Sequence, residues 1–203
     1  MIKDYQTAIV TGASRGVGVY IAKALAKEGM NLVLAARNAD GLDNTAKEIK
    51  AFGGRVIAVP TDLTDRNGLK TLVSKAEAEF GTIDVLVNNA AIDSVQFFQQ
   101  ESPDVIEQLL AVNLTAPIVL TRFVLPGMLM RRRGHIVNIA SLAAKLPFPS
   151  DVMYATSKAG LAHFTSSLRA ECQGTGVSAS VILAGQFTDI GVSAQALKET
   201  GVI

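Results

Sequence analysis

Six short runs rich in β-branched and aliphatic residues recur along the chain: TAIVT at 7–11, NLVLAA at 31–36, RVIAVP at 55–60, IDVLVN at 83–88, HIVNIAS at 135–141 and VSASVIL at 177–183. Longer stretches with helical apolar spacing separate them. Runs that are apolar on both faces suit parallel strands, because the crossovers that join such strands are helices that cover the sheet on both sides. The alternation therefore predicts an α/β fold, a single doubly wound parallel sheet with helices on both faces. Between the first two runs, VYIAKALAKEG has helical spacing and ends at Gly29, a residue suited to the position just past a helix. Ser102-Pro103 predicts a helix start, with serine as N-cap and proline in the first turn. No internal repeat, proline-rich linker or low-complexity segment divides residues 1–203, so one domain is expected.

A chain of 203 residues, 49% hydrophobic and 18% charged, can bury one sizeable core. Its formal net charge of +1 gives no general attraction to nucleic acid. The one basic run, Arg131-Arg132-Arg133, follows an apolar helical stretch and precedes Gly134, which predicts a solvated helix end closed by that glycine. Cys172 is the only cysteine, so no intramolecular disulfide can form, and a buried thiol is expected rather than a nucleophile. His135 and His163 stand apart without other ligand types near them, and no metal site is expected. The first residues show no long apolar targeting region and no uninterrupted apolar run reaches membrane-spanning length; a cytoplasmic protein without membrane partners is expected.

The first run leads into TGASRGVG, placing Gly12, Gly16 and Gly18 at a strand-to-helix turn. Glycine allows the tight turn and close backbone approach, and a helix N-terminus offers amide donors to a pyrophosphate, as in a Rossmann dinucleotide-binding unit. A Walker phosphate loop is excluded because its Gly-Lys-Ser/Thr ending is absent. About 20 residues further on, where an acidic side chain would accept a bond from the ribose 2′-hydroxyl of NAD, the chain has Arg37. A guanidinium suits a 2′-phosphate instead, so NADP is favoured over NAD, with Arg15 as a second cation and Asp40 a weaker candidate for hydroxyl binding. Asp62 and Asn88-Asn89-Ala90 fall at the ends of the third and fourth runs, where open α/β sheets bind ligands.

Ser141 closes the fifth run, and Tyr154 and Lys158 follow in YATSK. Residues at i and i+4 share a helix face, so phenol and ammonium can enter one cleft. A cation beside a tyrosine favours the phenolate and is expected to draw its pKa below the usual ~10, fitting it for proton exchange. Ser141 can hydrogen-bond the substrate oxygen that exchanges that proton.

From Thr7 to about Thr188 the chain resembles the short-chain dehydrogenase/reductase family, in particular members like 3-oxoacyl-[acyl-carrier-protein] reductase. TGASRGVG, Asp62, NNAA, Asn113, Ser141 and YATSK occur in the family's order and approximate spacing. The resemblance implies a catalytic tetrad of Asn113, Ser141, Tyr154 and Lys158. It implies cofactor contacts from Gly12, Ser14, Arg15, Gly16, Val17, Gly18, Arg37, Asp62, Leu63, Asn89, Tyr154 and Lys158, with Thr188 touching the nicotinamide amide. The implied reaction is an NADP-dependent hydride transfer between nicotinamide and a carbonyl or secondary alcohol. Tyr154 would exchange the proton, Lys158 would bind the nicotinamide ribose, and Asn113 would hold a relay water.

The chain departs from the family pattern at three places. Ala91 stands where the NNAG motif has glycine, Ala184 where proline is common, and the sequence stops at Ile203, where the family continues through a lid, a helix and a last strand. A shortened molecule is expected, with the last strand absent and the sixth run left as an apolar sheet edge that another chain or the tail must cover. An apolar carbonyl or alcohol is the expected small-molecule substrate, read from Ile92, Val95, Phe97, Phe98, Leu142, Leu146, Phe148, Met153, Phe187 and Ile190. The segments around 113–130 and 154–172 resemble the family's dimerisation helices, implying a homodimer or homotetramer. The rival expectation is a cofactor-binding regulatory or interaction protein of the same fold that has lost turnover.

Overall fold

The computed structural model describes residues 5–185. Six parallel strands form one sheet: β1 (Thr7–Thr11), β2 (Asn31–Ala36), β3 (Val56–Pro60), β4 (Val85–Asn88), β5 (Gly134–Ser141) and β6 (Val177–Ala184), in the order β3-β2-β1-β4-β5-β6. Chain order reverses between β1 and β4, which creates the crevice at their carboxyl ends where doubly wound sheets take ligands. The helices are α1 (Val17–Lys27), α2 (Ala39–Ala51), α3 (Arg66–Phe80), α4 (Pro103–Leu110), α5 (Ala116–Met130) and α6 (Val152–Glu171).

Alternate residues of each strand feed two cores, as a period of two requires. Ala8, Val10, Leu32 and Leu34 pack with Ala22, Ala26, Leu42 and Ile49 from α1 and α2. Ile9, Val33, Leu86 and Ile136 pack on the opposite face with Leu72, Leu120, Val124, Met128 and Leu168 from α3, α5 and α6. The strand runs read in the sequence reappear, with the third and fourth starting later than their apolar stretches. Ser102 caps α4 by accepting a bond from Val105 N at 3.3 Å, and Pro103 occupies the first turn. Gly29, φ 87°, follows the end of α1 as its left-handed exit.

Two expectations are corrected. Gly134 begins β5 and is not a helix cap; Arg132 takes the left-handed backbone itself, φ 52°, between α5 and β5. The arginines are not merely solvated either. Arg131 donates to Ile83 O at 2.8 Å, Arg132 donates to Gly174 O at 3.0 Å, and Arg133 pairs with the buried Asp84 at 3.0 Å. Asp84 also accepts from Gln6 N at 2.8 Å, so it ties the amino ends of β1 and β4 to the end of α5.

A π turn at Ala111–Thr115 carries α4 into α5 without a break, giving one helix, Pro103–Met130, of 28 residues, with an 18-residue stretch whose mean hydropathy is 1.7. By length and composition alone this helix could cross a membrane, although Asp104, Glu107, Asn113 and Arg122 interrupt its apolar run, as the sequence reading holds. In the fold its Leu109, Leu120, Val124 and Met128 are buried. Among the described residues β6 is a sheet edge, and Ile182 on it is 51% exposed.

Candidate active site

The turn after β1 is built by glycines that nothing else can replace. Gly12 holds φ 69°, and a Cβ there would lie 2.8 Å from Ala90 Cα. A Cβ on Gly18 would lie 2.2 Å from Gly12 O, so α1 packs directly on the turn that precedes it. Gly16, φ 60°, stands at the N-cap of α1 and offers no side chain to the helix's first amides. Ser14 and Val17 complete this loop, and the exposed Arg15 projects from it. Asn89 locks the loop to the end of β4: its side chain donates to Thr11 O at 3.0 Å, and Asn89 N and Ala90 N both donate to Thr11 Oγ1. Ala91 lies in this segment without a positive φ, so the missing family glycine places no strain on the backbone.

Arg37 is exposed just after β2. Its charge reaches Asp62 after β3; together with bonds from Thr64 N at 2.9 Å and Thr64 Oγ1 at 2.8 Å, which dominate, it holds that carboxyl below its usual pKa. Leu63 beside it is buried. Asp40, the weaker candidate, lies in the first turn of α2, whose cap is Asn38.

Asn113, fully buried, is at the centre of the π turn. Its side chain grips the backbone of Ile92 twice, donating to Ile92 O at 2.8 Å and accepting from Ile92 N at 2.9 Å, and it also donates to Ser157 Oγ at 3.2 Å. The π turn widens the helix at this point, a distortion common at functional sites. Asn113 therefore pins the loop after β4 against α6.

Tyr154, Ser157, Lys158, Leu161, Thr165 and Leu168 form the buried stripe of α6. A polar chain sets its register on the sheet: Asn88 donates to Asn138 Oδ1 at 2.8 Å and Asn138 donates to Thr165 Oγ1 at 2.8 Å. That stripe carries Tyr154, 9% exposed, and Lys158, 2% exposed, to the carboxyl end of β5. Lys158 Nζ donates to Ile139 O at 2.9 Å and lies 5.5 Å from the centre of the Tyr154 ring. Ser141 ends β5, accepts from Ala143 N at 3.2 Å and hydrogen-bonds the Tyr154 phenol. Asn113, Ser141, Tyr154 and Lys158 thus converge at one end of the sheet. Thr188, with Phe187 and Ile190, lies outside the described residues.

The electrostatics run against one sequence expectation. Burial, reinforced by the charges of Asp93 and Asp151 and opposed by the bond to Ser141, pushes the Tyr154 phenol up to about 12 rather than down. Burial likewise draws the Lys158 ammonium down to about 8, against the attraction of Asp93. Asp93 and Asp151 were missed because they lie far apart in the sequence and match no motif. The sequence offered one sign, an aspartate three residues before the tyrosine of YATSK, a residue type that favours helix starts.

The large apolar residues of the expected substrate side are exposed where they border this site: Phe97 and Phe98 follow the Ile92 loop, and Leu142, Leu146 and Phe148 lie between Ser141 and α6. The bond from Gln96 N to Ser150 O, 3.0 Å, joins these two segments.

Comparison with known proteins gives the same frame. Residues 6–198 match the short chain dehydrogenase family. Ketoacyl reductase HetN of Nostoc sp. (strain PCC 7120 / SAG 25.82 / UTEX 2576) is 44% identical over 93% of this chain. A tryptophan-substituted variant of actinorhodin polyketide ketoreductase, solved with NADPH, superposes at TM-score 0.93 with 31% identity, covering 98% of this chain and 77% of its own. A short chain dehydrogenase/reductase from Burkholderia phymatum, solved with NAD, gives TM-score 0.88 at 31% identity, covering 91% and 67%. The chain spans about two thirds or less of the length of the first curated relatives it matches, 66% of HetN and 56% of a Pseudocercospora fijiensis short chain dehydrogenase. Sheet order, glycine turn and matched length agree, and the chain belongs to the short chain dehydrogenase family.

Proposed function

We propose that this chain is an NADP-dependent oxidoreductase that transfers a hydride between nicotinamide and a carbonyl or secondary-alcohol carbon, with Tyr154 exchanging the proton on oxygen. One observation carries the proposal: Tyr154 and Lys158 share a buried helix face beside Ser141, at the same end of the sheet as the glycine turn. The dinucleotide, when bound, supplies the hydride chemistry. The residues of the chain bind, orient and move the proton.

Gly12, Ser14, Arg15, Gly16, Val17 and Gly18 form the cradle. Because Gly16 gives α1 no side-chain cap, the helix's first amides are available to a pyrophosphate. Arg37 and Arg15 suit a 2′-phosphate, which supports NADP over NAD. Asp62, Leu63 and Asn89 would border the adenosine half, and Tyr154 and Lys158 the nicotinamide ribose, with Thr188 at the nicotinamide amide by family resemblance. Ser141 would hold the substrate oxygen against the Tyr154 phenol, and Lys158 and Asn113 would support the proton path. The exposed Phe97, Phe98, Leu142, Leu146 and Phe148 favour an apolar carbonyl or alcohol as substrate. We place the activity in the cytoplasm, in a homodimer or homotetramer built through α5 and α6.

The test is consumption of NADPH by the full chain with a panel of apolar ketones, and of NADP+ with the matching secondary alcohols. Turnover with at least one pair is expected. Tight NADPH binding without turnover on any member would overturn the enzymatic assignment and leave a cofactor-binding protein.

A further inference from the structure

The loop between Ile92 and α4 is closed on itself by one carboxylate. Glu101 Oε2 accepts from Ser94 Oγ at 3.1 Å and also from Gln96 Nε2. Between these ties runs one turn of 3-10 helix, Phe98–Gln100, in which Gln100 N donates to Phe97 O at 2.8 Å and Glu101 N donates to Phe98 O at 3.1 Å. A compact loop whose ends are drawn together holds the residues at its tip in a defined place. The tip here is Phe97 and Phe98, both more than half exposed.

Two further ties bring that tip to the site. Asn113 grips Ile92 at the start of the loop, and Gln96 N donates to Ser150 O at 3.0 Å. Ser150 holds a left-handed backbone, φ 65°, which is strained for a residue with a Cβ and is retained where the surroundings impose it. The segment 146–150 carries the exposed Leu146 and Phe148 and runs directly into α6, whose first turn bears Tyr154. Four large apolar side chains on two joined segments therefore stay open to solvent at the approach to Ser141 and Tyr154. Exposed apolar residues gathered in one place mark where another apolar surface docks. These border the reacting groups, so the occupant they fit is the apolar body of the substrate itself.

We propose that Glu101 is a specificity-determining positioning residue: by closing the loop on Ser94 and Gln96 it holds Phe97 and Phe98 beside the segment 146–150 as an apolar entrance, which selects ketones and secondary alcohols with an extended apolar body. The proposal rests on the oxidoreductase function given above. Glu101 touches no reacting atom and acts through Gln96, whose backbone carries the bond to Ser150. Without its carboxylate, Ser94 Oγ and Gln96 Nε2 turn to water and the rings are no longer held to the second segment. Ser141, Tyr154 and Lys158 are left as they are, so the loss falls on binding of an extended substrate and not on proton transfer. A glutamine keeps an acceptor oxygen at the same reach and keeps the loop closed.

The test uses the full chain with Glu101→Ala and Glu101→Gln, and compares methyl octyl ketone with methyl ethyl ketone as substrates for NADPH-dependent reduction. Glu101→Ala is expected to lower the ratio of kcat/KM for the long ketone to that for the short one by about tenfold, the scale on which an apolar pocket discriminates. The change should lie in KM, with NADPH affinity unchanged, and Glu101→Gln should restore most of the ratio. Glu101→Ala added to Phe97→Ala should cost little more than Phe97→Ala alone, because the one acts through the other. An unchanged ratio, or an equal loss on both ketones, would overturn the proposal; the second result is what a merely structural role gives. A further readout needs no turnover: hydrogen exchange of the Gln96 amide, which the bond to Ser150 O protects, is expected to quicken several-fold in Glu101→Ala and to stay slow in Glu101→Gln. Unchanged exchange in Glu101→Ala would overturn the proposal. Quickened exchange in a chain that reduces no ketone would instead overturn the oxidoreductase assignment and leave the loop tie standing.

Discussion

Arg37 shows what a single side chain decides. It is exposed at the end of β2, and its guanidinium is felt by Asp62 across the strand ends. A guanidinium can clamp a ribose 2′-phosphate but cannot accept a bond from a free 2′-hydroxyl. Arg37→Asp is expected to cut NADPH affinity at least ~10-fold, the value of about 1.4 kcal/mol, and to improve NADH binding. Equilibrium titration of both nucleotides checks this, and an unchanged preference would remove Arg37 from cofactor choice. Tyr154 shows the converse, that a residue can be recognised while its state is not. The spacing in YATSK placed the phenol beside the ammonium, but spacing carries no measure of burial. Burial and the charge of Asp93 decide the direction of the Tyr154 shift, and both are tertiary.

At the scale of elements, the sequence was legible wherever local pattern governs structure. The doubly apolar runs became parallel strands, and Ser102-Pro103 opened a helix as capping chemistry requires. It was not legible where the backbone leaves a regular form. The π turn around Asn113 breaks no hydrophobic period, so nothing in the sequence marks it, yet that turn aims the amide at Ile92. Asn113→Ala would leave Ile92 N–H and C=O without their side-chain partner in a partly buried place. Each orphaned group costs about 1–3 kcal/mol, so a loss of about 2–4 kcal/mol in urea unfolding is expected. Because Asn113 pins the loop after β4 against α6, turnover should fall as well. A variant of wild-type stability would show that the pin is dispensable.

Across the whole molecule, the two ends of the sheet have different tasks. The carboxyl ends of the strands gather the glycine turn, Ser141, Tyr154 and Lys158. The amino ends are held by Asp84, fully buried and bound to Gln6 N, Thr7 N and Arg133. Breaking a buried pair by removing one partner costs about 3–5 kcal/mol, because the remaining charge is left uncompensated. Arg133 is partly exposed, which lowers the figure, and Arg133→Ala is expected to cost about 2–3 kcal/mol in denaturant unfolding, with nucleotide affinity per folded molecule unchanged. A large loss of affinity in that variant would show that the two ends are coupled. The basic run read as a solvated helix end because its partners, Ile83, Asp84 and Gly174, come from other parts of the chain.

The central claim is that Tyr154 moves the proton while the glycine turn independently holds the dinucleotide. Tyr154→Phe removes one oxygen and keeps the ring, so NADPH affinity should change by less than about threefold while kcat for ketone reduction falls by about 10²–10⁴, the usual worth of a positioned acid. Turnover retained within a few-fold of the unaltered chain would contradict the claim.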